Sequence, residues 1–196
     1  MPIFPTFPRR IIQKRAVQKR AAPPPVRRHF YNEPGFQTYA SFFPLWGGWA
    51  TAGHCLTEAC GHLPPFADGE AVSWPDGLDA ALIGCTPPRK GPSAPQRGQR
   101  MVAHGFPAGS RHAETRNGTV YHERSPGQWI VQMDDPDEPV VTGMSGGPVI
   151  VDGVPIGILI TRNSPADLDA DGDADQSYDF IALHDVWQAV RARRVS

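Results

Sequence analysis

A serine flanked by glycines is the first candidate for chemistry in this chain. Ser145 lies within residues 142–150, which read TGMSGGPVI. A serine hydroxyl is a poor nucleophile at neutral pH, so it needs a base to take its proton and donors to stabilise the oxyanion that forms on the substrate. Glycine has no Cβ, so Gly143 can adopt backbone angles that turn its N–H inward beside the N–H of Ser145. These two N–H groups are the candidate oxyanion hole.

A candidate base and its carboxylate partner lie upstream. Residues 51–55 read TAGHC and place His54 at the end of an apolar stretch, while Asp79 begins the apolar segment DAALI. A histidine between a serine and a carboxylate can act first as general base and then as general acid, while the carboxylate holds its tautomer. Asp76 is a rival carboxylate, but its Pro-Asp-Gly setting is typical of a turn, which favours Asp79.

The three motifs follow one another in the order His54, Asp79, Ser145, and they resemble the chymotrypsin-like serine proteases of the compact bacterial or viral type. Other Ser-His-Asp folds arrange the triad in a different chain order. The resemblance covers residues 36–196. It implies an all-β fold of two antiparallel six-stranded barrels with a C-terminal helix. It also implies a serine endopeptidase that hydrolyses peptide bonds through an acyl-enzyme intermediate and requires no cofactor.

The chain divides into four parts in this interpretation. An abundance of proline (22) and glycine (20) favours short strands and many turns. We expect a basic, disordered extension over 1–35, a first barrel over 36–85, a linker over 86–97, and a second barrel with the helix over 98–196. The expected strands are 36–43, 46–52, 70–74, 78–84, one beginning at 98, 117–121, 128–132, 149–151 and 156–160. Turns are expected at Pro44-Leu45 and at Asp152-Gly153, and a helix over 183–195.

The resemblance also identifies positions of a substrate pocket. These positions are Pro139, Val140, Thr142, Leu159, Ile160, Thr161 and Arg162. Trypsins carry the aspartate that binds Lys or Arg where this chain has Pro139, so we expect an apolar or small side chain before the cut bond. Arg162 at the rim leaves an acidic preference open. Met144 stands where trypsins carry an aspartate that pairs with a newly released N-terminus, so we expect no such activation step.

Five alternating aspartates form a separate feature of the C-terminal half. They are Asp167, Asp169, Asp171, Asp173 and Asp175. Alternate carboxylates followed by glycine match the front half of a calcium loop, and mutual repulsion among them would be relieved by a hard cation. The twelfth position is Tyr178 instead of glutamate. A structural Ca²⁺ site and an exposed acidic loop are therefore both open.

Charge is distributed unevenly along the chain. The first 32 residues contain eight Lys and Arg and no acid, which leaves 11 basic and 20 acidic residues elsewhere, a net charge of −9. A solvated tail is the expected interpretation; a targeting presequence, a propeptide and a nucleic-acid-binding arm are the alternatives. A second functional hypothesis follows, in which a protease-like module binds nucleic acid or an acidic partner through this arm.

Three further expectations concern environment and assembly. The chain has no apolar run of 18 residues and no secretory apolar core, so we expect no membrane partner and an intracellular location. Cys55, Cys60 and Cys85 are expected to be reduced, with a Cys55–Cys60 disulfide left open. We expect a monomer.

Overall fold

The computed structural model describes residues 27–33, 36–57, 72–108, 110–135, 137–160 and 177–193. The elements in these ranges are β1 (Arg27–Glu33), β2 (Phe36–Leu45), β3 (Gly48–Thr51), α1 (His54–Thr57), β4 (Val72–Ser73), β5 (Ala81–Ile83), β6 (Arg100–Gly105), β7 (Glu114–Ser125), β8 (Gln128–Met133), β9 (Pro148–Val151), β10 (Val154–Ile160), β11 (Ser177–Ala182) and α2 (Leu183–Ala192). Within these ranges, no helix has the length and apolar character needed to cross a membrane.

The C-terminal half forms a closed antiparallel barrel of six strands. Its strand order is β10-β11-β8-β7-β6-β9, and β6 closes the barrel by pairing Val102 with Ile150 of β9. Its interior is filled by small and branched side chains from all six strands together with Met101, Met133 and Phe180. The expected six-stranded second barrel is therefore present. Strand β11, for which the sequence shows no strand pattern, is one of its six members.

The N-terminal half is a five-stranded antiparallel sheet in the order β1-β2-β3-β5-β4, and within the described residues it is not closed. The expectation of a closed six-stranded first barrel is therefore not met by these strands. Strand β1 lies inside the segment that was expected to be a disordered extension, and it pairs with β2 from Arg27–Phe42 to Glu33–Phe36. The sheet thus begins before Phe36.

Two hairpin turns fix the register of their strands. The first lies at Trp46-Gly47, where φ is 49° and 82°, and not at Pro44-Leu45, which continue β2 and pair with Trp49 and Gly48. Two successive residues with positive φ suit the right-handed twist of a two-residue hairpin. The second turn, at Asp152-Gly153, has φ of 50° and 81° and is confirmed as predicted.

Helix α2 packs against both halves of the molecule. It spans Leu183–Ala192, shorter than the expected 183–195. Its buried face consists of Leu183, Val186 and Val190, a spacing of three and four residues that is typical of an amphipathic helix. These side chains join the apolar cluster of the N-terminal sheet, to which the barrel contributes Ile158, Ile160 and Ile181. The helix therefore packs where the sheet and the barrel meet.

Candidate active site

His54 and Asp79 are joined by two hydrogen bonds. His54 begins α1, which Ala52 and Gly53 separate from the end of β3, and Asp79 lies two residues before β5, the strand paired with β3. The backbone N–H of His54 donates to Asp79 Oδ1 at 2.7 Å, and His54 Nδ1 lies 2.7 Å from Asp79 Oδ2. Because an ionised carboxylate only accepts, Nδ1 carries the proton and Nε2 of the neutral ring is left as an acceptor.

The glycine of the histidine motif permits this close approach. A Cβ at Gly53 would lie 2.9 Å from Asp79 Oδ1 and 3.1 Å from the backbone nitrogen of Ala80. The rival carboxylate, Asp76, is 80% exposed and instead forms an ion pair with Arg193 just beyond α2. Asp79, and not Asp76, is therefore the carboxylate hydrogen-bonded to His54.

The pair shifts both ionisation equilibria. Burial alone would lower the pKa of His54, but the hydrogen bond to Asp79 and the interaction with the adjacent Cys55 sulfur outweigh it and raise the pKa to about 10. Burial alone would raise the pKa of Asp79, but its hydrogen bond to His54 and the charge of that ring lower the pKa below its ordinary value. Both shifts favour the ion pair.

Cys55 lies beside the other ring nitrogen. Its Sγ is 3.6 Å from His54 Nε2, and the side chain is buried. Cys55 and Cys85 carry thiols instead of forming disulfides, and Cys60 lies outside the described residues. The ring nitrogen that does not face Asp79 therefore has a sulfur atom as its neighbour.

The serine loop is seated directly on the N-terminal sheet. The carbonyl of Ser145 accepts a 2.8 Å hydrogen bond from the backbone N–H of Ser41 on β2. Gly146 has a φ of 83°, and a Cβ there would lie 2.2 Å from both Ser41 O and Thr51 Oγ1 and 3.1 Å from Ala52 N. Since Thr51 and Ala52 lead into His54, the backbone around the nucleophile candidate contacts the backbone around the base.

The peptide between Thr142 and Gly143 carries one N–H group of the candidate oxyanion hole, and a hydrogen bond to its carbonyl fixes its orientation. The carbonyl of Thr142 accepts a 2.7 Å hydrogen bond from the N–H of Ala108. In a trans peptide the carbonyl and the N–H point in opposite directions, so the N–H of Gly143 faces away from Ala108. Gly143 has a φ of 95°, which favours glycine, and a Cβ there would lie 2.6 Å from Phe106 O.

The pocket candidates do not lie in one environment. Val140 and Leu159 are buried in the interior of the barrel, and Ile160 belongs to the cluster beneath α2. Pro139 is half-buried, and its carbonyl accepts a hydrogen bond from Arg116 Nε at 3.2 Å; Thr142 is exposed. Thr161 and Arg162 lie outside the described residues, as do the five aspartates of the candidate calcium loop.

Ser41 was not among the residues singled out from the sequence. Its side chain is fully buried, and its hydroxyl contacts both Gly143 and Phe106. The sequence did carry a signal, because Ser41 is a polar residue within the apolar run 40–43, ASFF, of a strand. A buried hydroxyl in such a run must find hydrogen-bond partners from another part of the chain.

Comparison with solved structures identifies the fold. The inactivated protease paralogue S-I1 of the scabies mite matches with a TM-score of 0.59 at 14% identity, covering 87% of this chain and 93% of that one. The Rv3671c protease of M. tuberculosis in its active form matches with a TM-score of 0.54 at 16% identity, covering 80% and 74%. The chain has the chymotrypsin-like protease fold. Human heparin binding protein matches as well, with a TM-score of 0.60 at 13% identity over 85% and 89% of the two chains.

The fold likeness is not matched by a likeness in sequence. No family model matches the sequence, and no curated protein matches it significantly. The argument for function therefore depends on the residues of this chain.

Proposed function

We propose that the chain is a serine endopeptidase that cuts polypeptides through a Ser145-His54-Asp79 triad. The observation that carries the proposal is the pair of 2.7 Å hydrogen bonds that the backbone and ring of His54 donate to Asp79, next to which the Ser145 loop is seated. A histidine oriented in this way presents an acceptor at Nε2, as a general base requires.

The proposed reaction has two halves. Ser145 Oγ attacks the scissile carbonyl as its proton passes to His54 Nε2, and the oxyanion accepts hydrogen bonds from the N–H groups of Gly143 and Ser145. The intermediate collapses when His54 gives the proton to the leaving amine, which departs with its new N–H bond. Water then attacks the acyl-enzyme by the same route, and the acid product leaves Ser145 with its hydroxyl restored.

The proposal includes a pocket that differs from that of trypsin. No carboxylate stands at Pro139 to bind a Lys or Arg side chain. Val140, Leu159 and Ile160 are apolar but lie in two different clusters, so the expected preference rests on the missing carboxylate. Cleavage after small or apolar residues is therefore expected. A peptide-library profile dominated by Lys or Arg before the cut bond would contradict this part of the proposal.

A second candidate function is a binding module with a protease-like fold. Two of the structural matches favour considering it, because one is described as an inactivated protease paralogue and another as a heparin binding protein. Eight basic residues in the first 32 supply the charge for docking nucleic acid or another acidic partner. Such binding would weaken steeply with added salt, whereas hydrolysis would not.

A fluorophosphonate probe separates the two functions. We expect the full chain to be labelled at Ser145, and the labelling to disappear in Ser145→Ala and in His54→Ala. Ser125→Ala is the matched control, because it removes an exposed hydroxyl of the hairpin between β7 and β8, where it donates to Gln128 Oε1. A folded chain that is not labelled, yet binds a heparin column in a salt-dependent way, would favour the binding module.

A further inference from the structure

Ser41 lies at the point where three segments of the chain meet. It is on β2, its side chain has no exposed surface, and all of its polar atoms are engaged. Its N–H donates to Ser145 O at 2.8 Å, and its carbonyl accepts from Thr51 Oγ1 at 2.9 Å. Its hydroxyl donates to Gly143 O at 2.8 Å and accepts from the N–H of Phe106 at 2.9 Å.

The hydroxyl of Ser41 completes the fixation of Gly143. Two peptide planes flank the Cα of a residue, and both must be held for its φ and ψ to be fixed. The plane before Gly143 is held by Ala108, which donates to Thr142 O. The plane after it is held at its carbonyl by the Ser41 hydroxyl, and at its N–H by a longer 3.1 Å bond from Met144 to Val141 O.

Glycine makes this second anchor necessary. Gly143 has a φ of 95° and no Cβ, so its flanking peptides can rotate at little steric cost unless hydrogen bonds hold them. The orientation of the loop therefore depends on a side chain from the other half of the molecule.

We propose that Ser41 is a positioning residue for the oxyanion hole. It holds the peptide between Gly143 and Met144, which lies between the two candidate donor peptides, and so sets the N–H groups of Gly143 and Ser145 relative to each other. The inference rests on the proposed function and extends it to a residue outside the triad. Ser41 acts through Gly143 and does not contact the substrate. Because the hydroxyl also binds the N–H of Phe106, it fixes the Gly143 loop and the neighbouring segment 106–108 relative to each other.

The test measures the acylation step by itself. p-Nitrophenyl acetate acylates an activated serine without needing a side-chain pocket, and stopped-flow bursts give its dissociation constant and its acylation rate constant separately. For Ser41→Ala in the full chain we expect the acylation rate constant to fall about 10- to 100-fold, less than the ~10²–10³-fold loss that follows deletion of an oxyanion donor. The dissociation constant should change by less than about twofold, because the ground-state ester carries no oxyanion.

Two further variants separate positioning from stability. Ser41→Thr keeps the hydroxyl and should return the acylation rate constant to within about threefold of the unsubstituted chain. Val190→Ala removes buried apolar volume from α2 and lowers stability without touching the loop, so its acylation rate constant should not change. If Ser41→Ala does not fold by circular dichroism, Ser41→Cys, which keeps only a weak donor, should show an intermediate rate constant.

Each outcome has one meaning. A burst from the unsubstituted chain and an equally fast burst from folded Ser41→Ala, or from Ser41→Cys in its place, would overturn the inference and leave the hydrolase standing. A slow Val190→Ala variant would assign the effect to stability and overturn it as well. No burst from the unsubstituted, folded chain would instead overturn the proposed function, and the role of Ser41 with it.

Discussion

Gly146→Ala tests the way in which the serine loop is seated. A Cβ at this position would meet Ser41 O and Thr51 Oγ1, each at 2.2 Å. One of these atoms belongs to the backbone and the other to a buried β-branched side chain that bonds to that backbone, so neither can move away cheaply. In addition, the φ of 83° is strained for alanine.

The structure supplies controls that separate the two costs. Gly98 has nearly the same φ, 84°, but nothing lies within 4 Å of its Cβ position, so Gly98→Ala should cost only the left-handed strain of about 1–2 kcal/mol. Gly147 has no positive φ, but its Cβ would lie 2.1 Å from His104 O, so Gly147→Ala should cost about 1–3 kcal/mol of overpacking. Gly146→Ala combines both costs and should lose about 2–5 kcal/mol of unfolding free energy.

Urea denaturation of the three variants measures these losses, and fluorophosphonate labelling measures their effect on Ser145. We expect Gly146→Ala to be the least stable and to lose labelling even in the absence of urea, because the loop must lift away from Thr51. Gly98→Ala should be labelled as fast as the unsubstituted chain. Equal losses for Gly98→Ala and Gly146→Ala would refute the contact between the loop and the sheet.

Four other predictions follow from the same site. Asp79→Asn should lower the acylation rate about 10⁴-fold, because an amide N–H facing His54 Nδ1 selects the tautomer in which Nε2 cannot accept a proton; stopped-flow bursts measure it. The burst rate should rise with pH toward the His54 pKa of about 10, since only the neutral ring is a base, and Cys55→Ala should shift that rise to lower pH; an unmoved profile would contradict the contribution of the thiol. Met144→Asp should lower the unfolding free energy by about 3–5 kcal/mol in denaturation experiments, because it leaves a carboxylate unpaired in the barrel interior. Millimolar Ca²⁺ should raise the Tm of the chain relative to chelator if the aspartates of 167–175 bind the ion, and an unchanged Tm would leave an acidic loop.

The sequence motifs around the candidate site reflect local requirements of the backbone. Four positions of the motifs require glycine because of a close contact or a positive φ. They are Gly53, Gly143, Gly146 and Gly147. Such requirements leave a fixed pattern of residue types, which is why the motifs could be interpreted without a structure. The Asp152-Gly153 turn was predictable for the same reason.

The remaining features depend on pairing between distant segments. Strand β11 follows a polar stretch and contains Asp179, whose buried carboxylate accepts from Gln128 Nε2 at 2.7 Å, so its sequence alone does not show the alternation of a half-buried strand. Strand β1 is basic and polar, and its place in the sheet comes from pairing with β2. Ser41 and Gly143 are 102 residues apart, and no local pattern could show that they are hydrogen-bonded.

The serine loop is held without an ion pair at the position where trypsins use one. Met144 is fully buried among the apolar side chains of the barrel, and the loop is otherwise held by backbone hydrogen bonds from Ser41 to Ser145 and from Gly146 to Leu159. Dispersion contacts and backbone hydrogen bonds form as the chain folds and do not depend on a newly released amino group. We therefore infer that the candidate oxyanion hole is assembled in the uncut chain, and that its geometry depends on Ser41 and on the packing of Met144.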